Sequence, residues 1–382
     1  MPNETFWKDI KQLAGGHYLE YKGGKTIIKK WYNFEDEIKK YDKTEPFEVV
    51  KKKYTELLAS SIKLRFRSDV PVGFNVSGGV DSSVLLTFVN QLNESKNDSI
   101  EAYTFYTGND KYDELPWVED MISQTKNPLN KVLIDSNEIE KLSSEVAKHQ
   151  DEPFGGIPTL AYAKIFNKAR ENGTIVLLDG QGMDEQWAGY DYYLNDADGI
   201  VQGVNASPFK TNVLSKEILE LAEKPVYRTP FDDALLNKQY RDLFYTKIPR
   251  ALRFNDRISM ASSTELREPF LDYRLVEYAF AQPVSYKINK NIQKYMLREI
   301  ASEQLGDYIS YAPKRALQTP QREWLGVELK EFVNTQLNRI KRSDAESWFN
   351  FDELNKEWQN YLNGDNESSF HIWQWVSLGL IV

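Results

Sequence analysis

The 382-residue sequence contains no cysteine, which excludes disulfides, thiolate metal sites and every mechanism that uses a thiol nucleophile. Histidine is scarce: His17, His149 and His371 are scattered too widely to form a local metal motif or a motif-defined triad. No apolar run reaches the roughly 18 residues that a membrane span requires. Positive charge is in deficit, with 48 Lys and Arg against 57 Asp and Glu, a net charge of -9. No global field therefore draws nucleic acid or an anionic membrane. The start, MPNETFWKDIKQ, lacks a basic segment followed by an apolar one, so the expected location is cytoplasmic. What is present is core-forming material: 41% of residues are hydrophobic and 13% aromatic, ample for a sizeable core. At roughly 150 residues per domain, one large domain with an appendage and two domains are both allowed.

Two extended segments, HYLEY and KTIIKKWY, flank Lys22, Gly23 and Gly24, which predicts a β-hairpin within residues 5–32. GGKT at 23–26 imitates the end of a phosphate-binding P-loop, but position 19, where that pattern needs glycine, is Leu. From Thr44 the period becomes helical, with Phe47, Val50, Tyr54, Leu57, Leu58 and Ile62 in phase, Thr44 as expected N-cap and Pro46 in the first turn. A new domain is expected to begin there, dividing the chain at 1–43 and 44–382. Strand-like runs at 70–76, 99–106, 131–134 and 174–179 alternate with helical stretches, which predicts an α/β fold with a parallel sheet. Beyond about residue 210 the strand signal fades, and 233–252, 291–305 and 352–362 read as helices. The tryptophans near the C-terminus, Trp358, Trp373 and Trp375, read as packing residues.

The first strand-like run ends in Val76-Ser77-Gly78-Gly79-Val80-Asp81-Ser82-Ser83 and opens a helical stretch. Paired glycines expose backbone N–H groups, the helix N-terminus adds partial positive charge, and three serines supply hydroxyls: an anion cradle. Asp81 inside it repels bare phosphate unless a divalent cation intervenes, so the loop predicts magnesium-bound polyphosphate. The fourth run leads into Gly180-Gln181-Gly182-Met183-Asp184-Glu185, where Glu185 replaces the third glycine of a dinucleotide fingerprint. Asp184 is the expected partner of Asp81 on magnesium.

SGGVDSS resembles the SGGxDSS loop of the ATP pyrophosphatases. Both loops in this order, with DVPVGFNVSGGVDSS at 69–83, DEPFGG at 151–156, LR at 252–253, DRISMASSTELREPFLD at 256–272 and KYMLR at 294–298, resemble the synthetase domain of class B asparagine synthetases. The segment APKRALQTP at 312–320 is similar to that family's RPKxGFxxP. The resemblance implies an ATP pyrophosphatase-like core with a mainly helical C-terminal half. It implies ATP and Mg2+ as cofactors, and a substrate carboxylate that attacks ATP to form an acyl-adenylate before ammonia or another amine displaces AMP. By the same resemblance Ser77, Gly78, Gly79, Val80, Ser82, Ser83 and Gly180 hold the nucleotide, Asp81 and Asp184 hold magnesium, and Lys314 stabilises the transferring phosphate. Val76 and Tyr106 then lie beside adenine.

Gln181 stands where the family has Glu; an amide cannot act as a general base. Ala316 and Leu317 replace a Gly-Phe pair. Residues 5–32 resemble only the last hairpin of the family's glutaminase domain, and without cysteine this chain cannot release ammonia from glutamine by thiol chemistry. The amine is expected from solution, a separate glutaminase subunit or the substrate itself, as in β-lactam synthetases and lasso-peptide cyclases. The acid, a small molecule or peptide, is left open between aspartate, a uronic acid and others. A non-catalytic nucleotide-binding protein is the reading from a different class.

Overall fold

The computed structural model describes residues 4–93, 100–194, 209–312, 319–365 and 367–382. The expected hairpin is formed by β1 (His17–Lys22) and β2 (Lys25–Lys30), and Gly23 and Gly24 take φ of 58° and 76° at its turn. Positive φ at both central residues is the reason for glycine there. All six residues of β2 are exposed, so the hairpin contributes little to the core.

The central sheet consists of β3 (Val72–Asn75), β4 (Ala102–Tyr106), β5 (Leu129–Leu133), β6 (Val176–Leu178) and β7 (Glu265–Arg267), all parallel, in the order β5-β4-β3-β6-β7. Alternate residues serve two separate cores. Val176 and Leu178 face the cluster that contains Phe74, Leu85 and Ala102, whereas Leu177 faces the one that contains Tyr103, Val132 and Phe166. The first core is covered by helices Phe47–Arg65 and Val80–Asn93, whose Tyr54, Leu58, Ile62, Leu85 and Val89 are fully buried. The second is covered by helix Ile157–Glu171 and by the C-terminal helices, which bring Trp358, Trp373 and Trp375 into it as packing residues.

Four sequence-level expectations need correction. Thr44 does not cap the long helix; its N–H and hydroxyl both donate to Asp42, and Pro46 holds the N-cap position. The strand signal does not end near residue 210, since β7 joins the sheet edge; three residues, ELR, are too few and too polar to show a period. The helix expected over 291–305 begins at Tyr295, because Lys290, Asn291 and Lys294 all take left-handed backbone conformations around a tight hairpin. The helix expected over 233–252 is divided: Ala234–Arg241 passes into a π-helical turn, Asp242–Thr246, before a second helix runs over Ile248–Ala261.

Strand order reverses between β3 and β6, so the chain leaves these two neighbours toward opposite sides. In open parallel sheets the crevice beyond the carboxyl ends of such a pair is where ligands bind. Both glycine loops emerge there. Among the described residues no helix is long and apolar enough to cross a membrane.

Candidate functional site

A cavity of about 770 Å³ opens over the carboxyl ends of β3 and β6. Its floor is the loop after β3, with Val76, Ser77, Gly78, Gly79, Val80, Asp81 and Ser82 all in the lining. The loop is held from within: Ser77 and Ser82 share a hydrogen bond between their hydroxyls at 2.9 Å, and the Gly79 N–H donates to Ser77 Oγ at 3.4 Å. Ser83 is fully buried and donates to the Gly79 carbonyl at 3.0 Å, so it braces the loop from behind. The Gly78 N–H donates to a carboxylate oxygen of Glu114 at 3.0 Å. This loop amide thus already attracts an anionic oxygen, the behaviour an anion cradle requires.

The loop after β6 brings Gly180, Gln181, Gly182 and Asp184 to the same cavity. Gly182 has φ of 106°, which only glycine adopts without strain. Asp81 and Asp184, about a hundred residues apart in sequence, converge on one ammonium. Lys294 Nζ lies 2.8 and 2.6 Å from the two oxygens of Asp81 and 2.7 Å from Asp184. Its side chain is only 5% exposed. Burial opposes the charge, but the coulombic pull of Asp184 and Asp81 outweighs it and holds the lysine above its ordinary range. A Cβ on Gly189 would run into both Asp184 and Lys294, so glycine keeps the pair seated.

The donor set suits magnesium. Two hard carboxylates meet around a positive charge, and among the described residues no group of three acidic, His or Cys side chains could cage a metal. A divalent ion would complete its shell with phosphate oxygens and water, as magnesium carried by a nucleotide does.

Gln181 has acidic neighbours that the local sequence did not signal. Its N–H lies 3.4 Å from Glu268 and its side-chain amide 3.5 Å from Asp179. Burial pushes both carboxyls upward, and in Glu268 the charge of Asp179 adds to the shift. Nearby, burial followed by the charge of Asp184 pushes Glu185 up to about 8, and Tyr190 donates to it at 2.7 Å. Tyr106 ends β4 but does not line the cavity, where Thr104 and Phe105 of the same strand appear. Lys314 lies outside the described residues.

The asparagine synthase family model matches residues 53–382. The chain belongs to the asparagine synthase family. Asparagine synthetase [glutamine-hydrolyzing] 3 of Bacillus subtilis is 27% identical over 343 residues, covering 82% of this chain and 55% of that protein. The human asparagine synthetase is 25% identical over 315 residues, covering 80% and 50%, and amidase chyE of Penicillium rubens is 23% identical over 408 residues, covering 85% and 60%. This asparagine synthase family chain spans about half the length of the curated relatives it matches. Residues 1–52 fall outside the family match, and the chain has no cysteine.

Some residues at this family site were not singled out by the sequence. Lys294 lay inside a recognised motif, KYMLR, whose place in the cavity only the fold discloses. Glu268 likewise lay inside a recognised segment, 256–272, whereas Glu114, Asp179, Lys247 and Arg250 carry no local signature; these residues reach the site through four separate loops and element ends.

Proposed function

We propose that this chain is an ATP-dependent carbon–nitrogen ligase that adenylates a carboxylate and passes its acyl group to an amine. The observation that carries the reading is the convergence of Asp81 and Asp184, one from each glycine loop, on a single cation over the sheet's switch point. In the first step a carboxylate oxygen attacks the α-phosphorus of ATP, and the bond to pyrophosphate breaks. In the second the amine nitrogen attacks the acyl carbon, the bond to AMP breaks and the nitrogen loses a proton.

The loop amides of Gly78 and Gly79, with Val80 and the hydroxyls of Ser77 and Ser82, bind the pyrophosphate portion, Ser83 braces that loop from behind, and Gly180 lines the opposite loop. Asp81 and Asp184 would hold magnesium, which when bound neutralises phosphate charge. Lys314, assigned by its sequence motif, offsets the charge that grows on the α-phosphate. Val76 is assigned to the adenine end, with Phe105 of the cavity lining in the place expected of Tyr106. Gln181 can orient the acyl-adenylate by hydrogen bonding but cannot take the amine's proton; Asp179 beside it, which also lines the cavity, is the carboxylate placed to do so.

Relatives named as asparagine synthetases make aspartate the first acid to try, with ammonia as the amine. The absence of cysteine favours an amine that reaches the cavity without thiol chemistry in this chain, including one carried by the substrate. The test is product analysis with MgATP, an acid panel and ammonium. AMP, pyrophosphate and a new amide are expected. Nucleotide binding without acid-dependent turnover would assign the chain to the binding-protein class instead.

A further inference from the structure

The cavity wall next to Glu185 and Tyr190 carries two cations, Lys247 and Arg250. The π-helical turn Asp242–Thr246 delivers Lys247, and Arg250 follows in the first turn of helix Ile248–Ala261. The Lys247 ammonium sits 5.1 Å from the ring centroid of Tyr190 and 5.6 Å from that of Tyr192. Those π faces seat the charge without neutralising it.

The other cations of the cavity are committed. Lys294 is held by Asp81 and Asp184, Arg298 donates to the carbonyls of Gln293, Ser310 and Ala312, and Lys111 and Arg322 meet Glu323. Among the described residues, neither Lys247 nor Arg250 makes an ion pair or a side-chain hydrogen bond. The acidic groups near Lys247 are already engaged. Asp242 accepts from Tyr192, Tyr193, Arg241 and Thr246, and Glu185 accepts from Tyr190 at 2.7 Å. Burial and then Arg250 push Lys247 down to about 8, a sign that the two positive charges strain each other. Two uncompensated cations in a confined cavity are costly, and a bound anion relieves that cost.

We propose that Lys247 and Arg250 form a subsite for a second anionic group on the acid substrate, so that the chain selects dianionic acids over monoanionic ones. This rests on the amide-synthetase reading above. Adenylation removes the charge of the reacting carboxylate, so an acid with a single carboxylate would leave both cations unpaired throughout the acyl-adenylate stage. A second acidic group keeps its charge through both steps. Cations clamped on the reacting carboxylate itself would instead weaken it as a nucleophile.

The test uses the full chain and acids that share a skeleton but differ in one anionic group: L-aspartate against β-alanine, and succinate against succinamate. Acid-dependent ATP–pyrophosphate exchange is measured for the parent and for Lys247→Met, Arg250→Gln and the double variant, each checked for an unchanged melting temperature. The dianionic member of a pair should be preferred about tenfold or more, and the double variant should lose that preference while the KM for ATP moves less than about twofold. Equal use of the monoanionic partners overturns the proposal, as does a rise in the KM for ATP matching that for the acid. If no acid drives exchange, the synthetase reading itself fails. Calorimetric titration then decides the subsite: aspartate or succinate bound by the parent and lost by the double variant supports it, and binding that survives the double variant, or none at all, overturns it.

Discussion

Lys294 carries the most information of any single residue at the site. Its ammonium already pairs with both Asp81 and Asp184 and offsets half of their charge, so free magnesium gains little by binding between them. Lys294→Met removes that internal counter-ion and leaves two carboxylates facing each other, a stronger oxygen site. We expect millimolar Mg2+ without nucleotide to raise the melting temperature of the variant by several degrees and to leave the parent almost unmoved, by linkage of binding to folding. Equal shifts in both proteins would show that Lys294 does not guard the pair. Lys314 is proposed, on its motif, to act at a different moment. Lys314→Ala should lower acid-dependent exchange about a hundredfold or more while weakening ATP binding much less, since its charge counts mainly where phosphate charge is growing. A variant that exchanges as well as the parent removes Lys314 from the mechanism.

Among the elements, the long helix Phe47–Arg65 and the two glycine loops were readable in the sequence because each obeys a local rule. Tyr54, Leu58 and Ile62 recur every fourth residue, and Gly-Gly or Gly-x-Gly follows a buried strand. β7 was not readable, being a three-residue edge whose partner lies some ninety positions earlier. Nor was the proximity of Glu268 to Gln181, which depends on β7 lying beside β6. Tertiary pairing, with no local pattern, assembles that corner of the site. The C-terminal helix Phe370–Gly379 offers a test of packing. His371 is 4% exposed, lies edge-on to Tyr361 and Trp375, and its Nδ1 has no hydrogen-bond partner among the described residues. Burial, with a smaller push from Lys210, lowers it from 6.5 to about 4. The unfolded chain therefore binds the proton first, and stability present above pH 6.5 is lost as pH falls toward 4. The full effect is about 3 kcal/mol. Urea unfolding of His371→Leu should lack this share of the acid slope; parallel pH curves for the two proteins would place the imidazole in a wetter setting.

At the scale of the whole molecule, the switch-point cavity and the absence of thiols together limit where the amine comes from. This chain should form an amide with ammonium or with an amine on the substrate, and glutamine alone should give none, as followed by ammonia release and product mass. Glutamine-dependent turnover by the purified chain would require a nucleophile that no feature of the cavity suggests. Net charge of -9 does not conflict with nucleotide binding, since loop amides and the cation between Asp81 and Asp184 set the local field. The most direct test of the central claim is to identify which bond of MgATP breaks, by separating the nucleotide products formed with the acid panel in the presence of ammonium. Acid-dependent AMP and pyrophosphate are the predicted products; acid-dependent ADP and orthophosphate, or no dependence on any acid, would contradict the account.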